Sequence, residues 1–192
     1  MAQIEKLIPH ILLWECSVTV QKGETLQHAY ERARAKGVIN VKNDSGGPTL
    51  CGVTLSTFKD WRKKQGKPIP TQADLAKLEY SEWLAILKSV FWDPCKGDQI
   101  ANQSIANLLV DWRWLNGTQG VKDAQKELGL TADGVVGPKT LAALNAAPAY
   151  RVFYYLKAAR FCSYYRIVAN NSSKKGFLTG WVNRTEALKY EQ

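Results

Sequence analysis

The sequence predicts a mainly α-helical protein with one small β-hairpin. Apolar residues recur at helical spacing through most of the chain, and only the stretch VINV, a polar turn and LCGVTL carries a strand signature. The length of 192 residues suffices for one sizeable core or two small ones. With 45% hydrophobic and 22% charged residues, the composition is that of a globular protein, and disorder is not expected.

The first predicted helix covers about residues 7–15. Ile8, Ile11, Leu12 and Glu15 follow the spacing of one helix face, and Pro9 is compatible with a first turn. Glu15 therefore lies on the apolar stripe at a helix end, where lost hydration and the helix dipole both disfavour a carboxylate anion. We expect a raised pKa, which suits a general acid at neutral pH. The alternative is a helix-end glutamate turned to solvent.

The remaining elements follow in order. ETLQHAYERARAKG predicts a second amphipathic helix that stops at Gly37. VINV and LCGVTL are the predicted hairpin strands, joined by the turn KNDSGGPT. Further helices are predicted in STFKDWRKKQG, TQADLAKLEY, SEWLAILKSVFWD with Ser81 as its cap, SIANLLVDWRWLNG, VKDAQKELGL and PKTLAALN, and in two long aromatic segments at about 150–169 and 177–190.

The charge narrows the possible partners. A net charge of +9 favours a polyanion such as nucleic acid, an anionic membrane surface or an acidic wall polymer. Residues 146–192 contain eight lysines or arginines against two glutamates, although a solvated basic helix face gives the same pattern. No nucleic-acid motif accompanies the charge, so we do not expect nucleic-acid binding. No stretch is apolar enough for a membrane span, and the N-terminus lacks the pattern of a signal peptide.

The cysteines and histidines do not predict a metal site. The four cysteines are widely separated without a CxxC pair, and only two histidines are present. We expect free thiols, no metal and no cofactor.

The polar turn before LCGVTL is the second candidate for chemistry. It contains Asp44, Gly46, Gly47 and Thr49, so backbone and side chains could approach a sugar chain closely. A helix-end glutamate followed by an aspartate and a threonine on a hairpin is typical of a glycosidase, in which one carboxyl protonates the glycosidic oxygen. The alternative is turn chemistry, because Asp, Ser and Gly are favoured in turns for local reasons.

Several motifs resemble glycoside hydrolase family 108, the lysozyme-like muramidases of bacteria and phages. NDSGGPTLCGVTLSTF at 43–58 is similar to the family's D-x-G-G-x-T-x-x-G-[IV]-T hairpin, which follows an E-G-G-Y helix end. SVFWDPCKGDQIANQSIANLLVDWRWLNG resembles the link into the family's C-terminal part. LTADGVVGPKTLAALN and GFLTGWVNR resemble the predicted peptidoglycan-binding domain that accompanies it.

The resemblance implies a lysozyme-like two-lobe helical fold, with a hydrolase lobe at 1–95 and a peptidoglycan-binding-like domain at 96–192, packed as one unit. It also implies a role for individual residues. Glu15 is the general acid, and Asp44 and Thr49 orient water or substrate; the substrate-binding frame comprises Gly46, Gly47, Gly52 and Thr54. Helical spacing from Ser104 and Leu108, rather than the resemblance, turns Asp111 inward, as a structural hydrogen-bond partner or as a catalytic or substrate-binding residue.

The chain departs from the family pattern in two places. ECSV replaces E-G-G-Y, and the helical segment 21–37 is inserted between Glu15 and the hairpin. The implied activity is cleavage of the β-1,4 bond between N-acetylmuramic acid and N-acetylglucosamine by a monomer that needs no cofactor. Such a protein acts on the wall after release or export, with a holin or a secretion helper. The alternative is a non-hydrolytic peptidoglycan-binding or regulatory protein on the same fold.

Overall fold

The computed structural model describes residues 1–40 and 47–192. Within this part of the chain the fold is mainly α-helical with one two-stranded antiparallel hairpin, which confirms the predicted class. The helices are α1 Ile8–Cys16, α2 Leu26–Arg34, α3 Leu55–Lys64, α4 Gln72–Ala76, α5 Tyr80–Ile86, α6 Gln103–Asn116, α7 Thr118–Glu127, α8 Pro138–Leu144, α9 Ala149–Asn170 and α10 Leu178–Ala187. The strands are β1 Thr49–Leu50 and β2 Val53–Thr54.

The chain divides into two compact units. The hairpin unit is Leu7–Val90 and contains α1 to α5 with the hairpin. The helical unit combines Met1–Lys6 with Phe91–Gln192 and contains α6 to α10. The N-terminal residues join the helical unit through backbone bonds, since the N–H of Ala2 donates to the carbonyl of Ile100 at 2.9 Å.

Four of the described helices begin directly after a residue whose side chain caps the first turn. Thr25, Thr54, Thr71 and Asn102 each accept a backbone N–H with the side chain, as N-caps do. The prediction that Ser81 caps its helix is wrong. α5 begins at Tyr80, one residue earlier, so Ser81 already lies inside the first turn and cannot take the cap position.

The hairpin is shorter than predicted and has a different register. Thr49 pairs with Thr54 and Leu50 with Val53, so the hairpin falls within the stretch predicted as one strand, except for Thr49, which belongs to the predicted turn. The turn is Cys51 and Gly52, with φ of 46° and 77°, and a two-residue turn with positive φ at both positions matches the natural twist of paired strands. Of the predicted first strand, Ile39 forms a single bridge with Thr49. Most of the predicted polar turn lies outside the described residues.

Two aromatic residues organise the core of the hairpin unit. The indole N–H of the fully buried Trp83 donates to the carbonyl of Cys51 at 3.0 Å and thereby fixes the hairpin turn. The ring of Tyr30, from α2, lies 5.0 Å from Trp83 between centroids, and its hydroxyl donates to the carbonyl of Leu78 at 2.7 Å. Burial raises the pKa of Tyr30 above its ordinary value, so this hydroxyl stays a donor. α2, α5 and the hairpin turn are thus held by one cluster.

A buried ion cluster organises the helical unit. The carboxylate of Asp111, on α6, accepts from Arg160 of α9 and from Arg184 of α10, each at 2.7 Å. Neither Asp111 nor Arg160 has solvent-exposed side-chain surface, and Arg184 retains 6%. Asp111 therefore joins three helices from the inside. The prediction of a substrate contact at Asp111 is corrected to a structural role, because its carboxylate has no accessible surface.

We expect Asp111→Asn to destabilise the protein by about 3–5 kcal/mol, because the change leaves two buried guanidinium groups without an anion. The measurement is urea unfolding followed by circular dichroism. Asp123→Asn is the matched control, since Asp123 accepts only a surface hydrogen bond from Gln119 and its loss should cost much less. Equal effects of the two substitutions would contradict the structural role of the cluster.

Candidate active site

The site begins at the C-terminal end of α1, where the backbone turns sharply. Ser17 follows the helix with φ 51° and ψ 44°, a left-handed conformation that favours glycine. In this conformation the N–H groups of Ser17 and Val18 donate to the carbonyls of Leu13 and Leu12 at 2.9 and 3.2 Å. Ser17 stands where the E-G-G-Y pattern has its second glycine, and it adopts the backbone conformation that a glycine provides.

Lys36 completes this helix end. Its Nζ donates to the carbonyl of Cys16 at 2.6 Å and to that of Ser17 at 3.1 Å. A cation at this point complements the negative end of the helix dipole. Because Lys36 belongs to the inserted segment 21–37, that segment binds directly to the end of α1.

Glu15 lies half-buried on the wall of a cavity of about 230 Å³. The end of α1, the inserted segment and the hairpin turn all contribute to the wall. The lining residues are Glu15, Cys16, Ser17, Ala33, Lys36, Gly37, Ile39 and Cys51. The inserted segment therefore forms one side of the cavity that holds the candidate acid.

The structure gives the hairpin residues different roles. The hydroxyl of Thr49 donates to the carbonyl of Gly47 at 3.0 Å, and its backbone pairs with Ile39, a cavity residue. Thr54 caps α3 by accepting the N–H of Thr57 at 3.1 Å, and Gly52 supplies the turn. Thr54 and Gly52 thus shape the hairpin locally.

The predicted residues do not all meet at the cavity. Glu15 and the turn residue Cys51 share it, while Thr49 lies on the strand behind Ile39. Gly47, two residues before β1, adopts φ 66°. Asp44 and Gly46 lie outside the described residues.

Sequence reasoning missed two features of the site. The first is Lys36, whose contact with Cys16 joins positions 20 residues apart. The second is a pair of thiols. All four cysteines of the chain are free, and Cys16 and Cys51 both line the cavity. Interaction with the Cys16 thiol, followed by burial, raises the pKa of Cys51 above its ordinary value. Helical periodicity located the end of α1, but no local signal in the sequence indicates which distant side chains lie next to it.

An ion cluster closes the inserted segment on itself. Glu24 accepts from Nε and Nη2 of Arg32 at 2.7 and 2.8 Å, and the N–H of Gln21 donates to it at 2.9 Å. His28 contributes a further contact at 2.9 Å. These bonds, that of Arg32 first, lower the pKa of Glu24 from 4.5 to about 2. The same guanidinium donates to the carbonyl of Thr19, so the segment is tied to the chain just after α1.

In the helical unit, the segment DGVVGPKT at 133–140 begins with a loop whose backbone and side chains are bound by one residue, Gln125. The buried amide of Gln125 donates to the carboxylate of Asp133, the carbonyl of Val135 and the hydroxyl of Thr140, and accepts the N–H of Gly134. Together with the N–H of Val135, the amide of Gln125 lowers the pKa of Asp133. The loop and α8 border a cavity of about 390 Å³.

Comparison with known proteins finds two families that match successive parts of the chain. Residues 33–117 match the family described as glycosyl hydrolase 108, and residues 113–186 match the predicted peptidoglycan domain. Both occur in the predicted order, which confirms the resemblance seen in the motifs. The two domains together support a peptidoglycan hydrolase with glycoside hydrolase activity.

Solved structures agree with this fold. The structure of SagA from Brucella abortus is 26% identical in sequence, with a TM-score of 0.67, and the match covers 84% of this chain and 91% of that chain. No curated protein sequence matches the chain. Glu15 lies before the first residue matched by the glycosyl hydrolase 108 family, whereas Lys36, Thr49 and Cys51 lie within the match.

Two further properties concern the described residues alone. Within 1–40 and 47–192, no three histidine, cysteine or acidic side chains are grouped closely enough to hold a metal ion. None of the helices in these ranges combines the length and the apolar character that crossing a bilayer requires.

Ser17→Gly should stabilise the protein by about 0.5–1 kcal/mol. The substitution removes the strain of a side chain at positive φ, which outweighs the extra freedom of glycine in the unfolded chain. Urea unfolding of the variant beside Ser17→Ala measures the effect, since alanine keeps the strain. A glycine variant less stable than the alanine variant would show that the left-handed conformation carries no strain.

The lowered pKa of Glu24 predicts how the stability of the protein changes with pH. Its pKa is lowered on folding from 4.5 to about 2, so its contribution is fully present above about pH 4.5 and is lost as the pH falls through about 2. Glu24→Gln should lower the unfolding temperature at pH 7, and the difference from wild type should shrink between pH 4.5 and 2. Melting curves across this range test it. In an Arg32→Met background the same substitution should have a smaller effect, and an undiminished effect would exclude Arg32 as the cause.

Proposed function

We propose that this protein is an N-acetylmuramidase, which cleaves the β-1,4 bond between N-acetylmuramic acid and N-acetylglucosamine in peptidoglycan. The glycosyl hydrolase 108 domain supports the reaction class, and the peptidoglycan domain supports the polymer. The observation that carries the proposal is that the half-buried Glu15 lines a cavity beside the hairpin turn.

In the proposed mechanism Glu15 is the general acid. It donates its proton to the glycosidic oxygen, the bond from that oxygen to the anomeric carbon breaks, and positive charge develops on the sugar ring. Water then adds to the anomeric carbon. The hydroxyl of Thr49 orients water or substrate, and Asp44 supplies the second carboxyl.

The neighbouring groups hold Glu15 in place. Lys36 binds the two carbonyls that follow Glu15 along the chain, so the last turn of α1 is anchored next to the acid. A fixed acid is effective because proton transfer requires hydrogen-bond distance to the leaving oxygen. The cavity is smaller than the roughly 300–1,000 Å³ of common ligand sites, so it fits one sugar ring better than a long glycan segment.

The net positive charge of the chain is suited to binding peptidoglycan. The last quarter of the sequence is strongly basic, whereas the peptides of the bacterial wall carry free carboxylates. We propose that the peptidoglycan domain and this charge keep the enzyme on the wall. The protein acts there as a monomer after release or export, through a holin or a secretion helper.

A second function, binding to peptidoglycan without hydrolysis, is favoured by one observation. The match to the glycosyl hydrolase 108 family begins at residue 33, and ECSV replaces E-G-G-Y at the helix end that carries the acid. In this alternative the helical unit retains the wall while the hairpin unit has lost catalysis.

Glu15→Gln separates the two functions. We expect the substitution to lower the release of reducing ends from purified peptidoglycan by about 10²–10⁴-fold, with unchanged binding to insoluble wall. Borohydride reduction of the wild-type products should label N-acetylmuramic acid, which identifies the cleaved bond.

Glu79→Gln is the matched control, because Glu79 is an exposed carboxylate in the same unit whose side chain caps no helix, and it should hydrolyse the wall normally. Equal activity of wild type and Glu15→Gln would exclude Glu15 as the acid. A wild type that binds the wall without releasing reducing ends would establish the second function.

A further inference from the structure

The outward face of α9 carries a group of exposed tyrosines. Tyr150, Tyr154 and Tyr155 keep 46%, 56% and 56% of their surface exposed. With other outward side chains of 150–158 and with Leu128, which directly follows α7, they line a largely apolar cavity of about 620 Å³. We call this cavity the tyrosine groove. Its volume lies within the roughly 300–1,000 Å³ of common ligand sites.

Contacts with neighbouring rings hold two of these tyrosines. The ring of Tyr154 lies 5.2 Å from that of the buried Phe153 and 6.3 Å from that of Tyr190, measured between centroids. The ring of Tyr150 lies 6.5 Å from the same Tyr190 ring, and its hydroxyl accepts from Nε of Arg151 at 3.3 Å. The rings are thus positioned before any ligand binds, which reduces the entropy lost on binding.

The helix that forms the groove is positively charged. α9 contains three arginines and one lysine but no aspartate or glutamate. Arg160 is buried against Asp111. Lys157 is also buried, and its Nζ donates to Glu186. Arg151, in contrast, is exposed and lines the tyrosine groove itself. The groove therefore presents a guanidinium group beside aromatic rings.

This combination favours a ligand that has both sugar rings and carboxylates. The apolar faces of pyranose rings stack on aromatic rings, while the tyrosine hydroxyls remain compatible with water. A purely hydrophobic partner would remove water from Arg151 without supplying an anion, which is costly. The groove also lies within residues 113–186, the part of the chain that matches the predicted peptidoglycan domain.

We propose that the tyrosine groove is a glycan-binding subsite for a strand of peptidoglycan. Tyr154 and Tyr155 stack on sugar rings, and Arg151 binds a carboxylate of the peptides attached to the strand. The proposal deepens the proposed function, since it rests on peptidoglycan as the polymer, but it requires no catalysis by Glu15. The subsite retains the wall, so its loss should raise the wall concentration needed for half-maximal release of reducing ends.

The first test maps tyrosine nitration by tetranitromethane in the full-length protein. The probe is a tetrasaccharide of β-1,4-linked N-acetylglucosamine, which supplies sugar rings without peptides. Trypsin separates peptide 152–157, with Tyr154 and Tyr155, from peptide 161–166, with Tyr165. Tyr165 is 58% exposed on the same helix but does not line the groove.

We expect the tetrasaccharide to lower nitration of peptide 152–157 severalfold and to leave peptide 161–166 unchanged. The wild-type map requires no variant to fold. Glu15→Gln should give the same map, which separates the subsite from hydrolysis. Nitration of peptide 152–157 that the tetrasaccharide does not change would overturn the proposal.

Variants assign the two parts of the ligand. Tyr155→Ala should weaken binding of the tetrasaccharide and of insoluble peptidoglycan by about tenfold, because the stacking surface is lost. Tyr165→Ala is the matched control and should bind normally. Arg151→Gln should weaken binding of peptide-bearing glycan strands about two- to fivefold and leave binding of the tetrasaccharide unchanged. Thermal melts followed by circular dichroism establish that each variant is folded.

The outcomes distinguish this proposal from the proposed function. A wild type that releases no reducing ends, but whose wall binding depends on Tyr155, would contradict hydrolysis and support the subsite. Equal wall binding by wild type and Tyr155→Ala, or an equal loss in Tyr165→Ala, would overturn the subsite whether or not the wall is cleaved. Protection of peptide 152–157 by self-association, or by anionic lipid vesicles but not by the tetrasaccharide, would also overturn it.

Discussion

The carbonyl groups at the C-terminal end of α1 need donors, and the donors they find determine the geometry of the site. Ser17 and Val18 supply backbone N–H groups to Leu13 and Leu12, and the ammonium of Lys36 donates to the carbonyls of Cys16 and Ser17. Because Lys36 belongs to the inserted segment, the position of Glu15 depends on how that segment folds. The segment is in turn fixed by Arg32 on Glu24 and by Tyr30 against Trp83. The same Trp83 holds the hairpin turn, so helix end, insertion and hairpin form one interdependent arrangement.

The helix ends that were predicted correctly are those set by interactions between residues close together in the sequence. Periodicity and Pro9 located α1 within one residue at each end, and Pro138 and Gly117 located the start of α8 and the end of α6. These signals act within a few residues, so they can be recognised without tertiary contacts. The hairpin register was missed because the competing turn at Cys51 and Gly52 is equally local and shorter. In the candidate site, the helix end of Glu15 was predictable, but its long-range partners were not.

The sequence alone does not distinguish a structural carboxylate from a catalytic one on the inward face of a helix, as Asp111 and Glu15 show. Both lie on inward faces of helices, and helical spacing alone treats them alike. The carboxylate of Asp111 meets two guanidinium groups, from positions 49 and 73 residues farther along, which compensate its burial. Glu15 remains half-buried on a cavity wall. Exposure to a cavity, which depends on the packing of distant segments, separates a structural acid from a candidate catalytic one.

The departures from the E-G-G-Y pattern lie at one point of the structure, and each has a local compensation. Ser17 adopts the left-handed conformation of the missing glycine, and Cys16 is buried on the cavity wall, which it shares with Cys51 of the hairpin turn. The inserted segment supplies the cation that completes the helix end. The backbone that presents Glu15 is therefore preserved without the glycines. What the departures change is the space around the acid, since a cysteine side chain and the inserted segment both line the cavity. Hydrolysis therefore depends on whether a sugar ring fits into the cavity between Cys16 and the inserted segment. It does not depend on the missing glycines of the helix end.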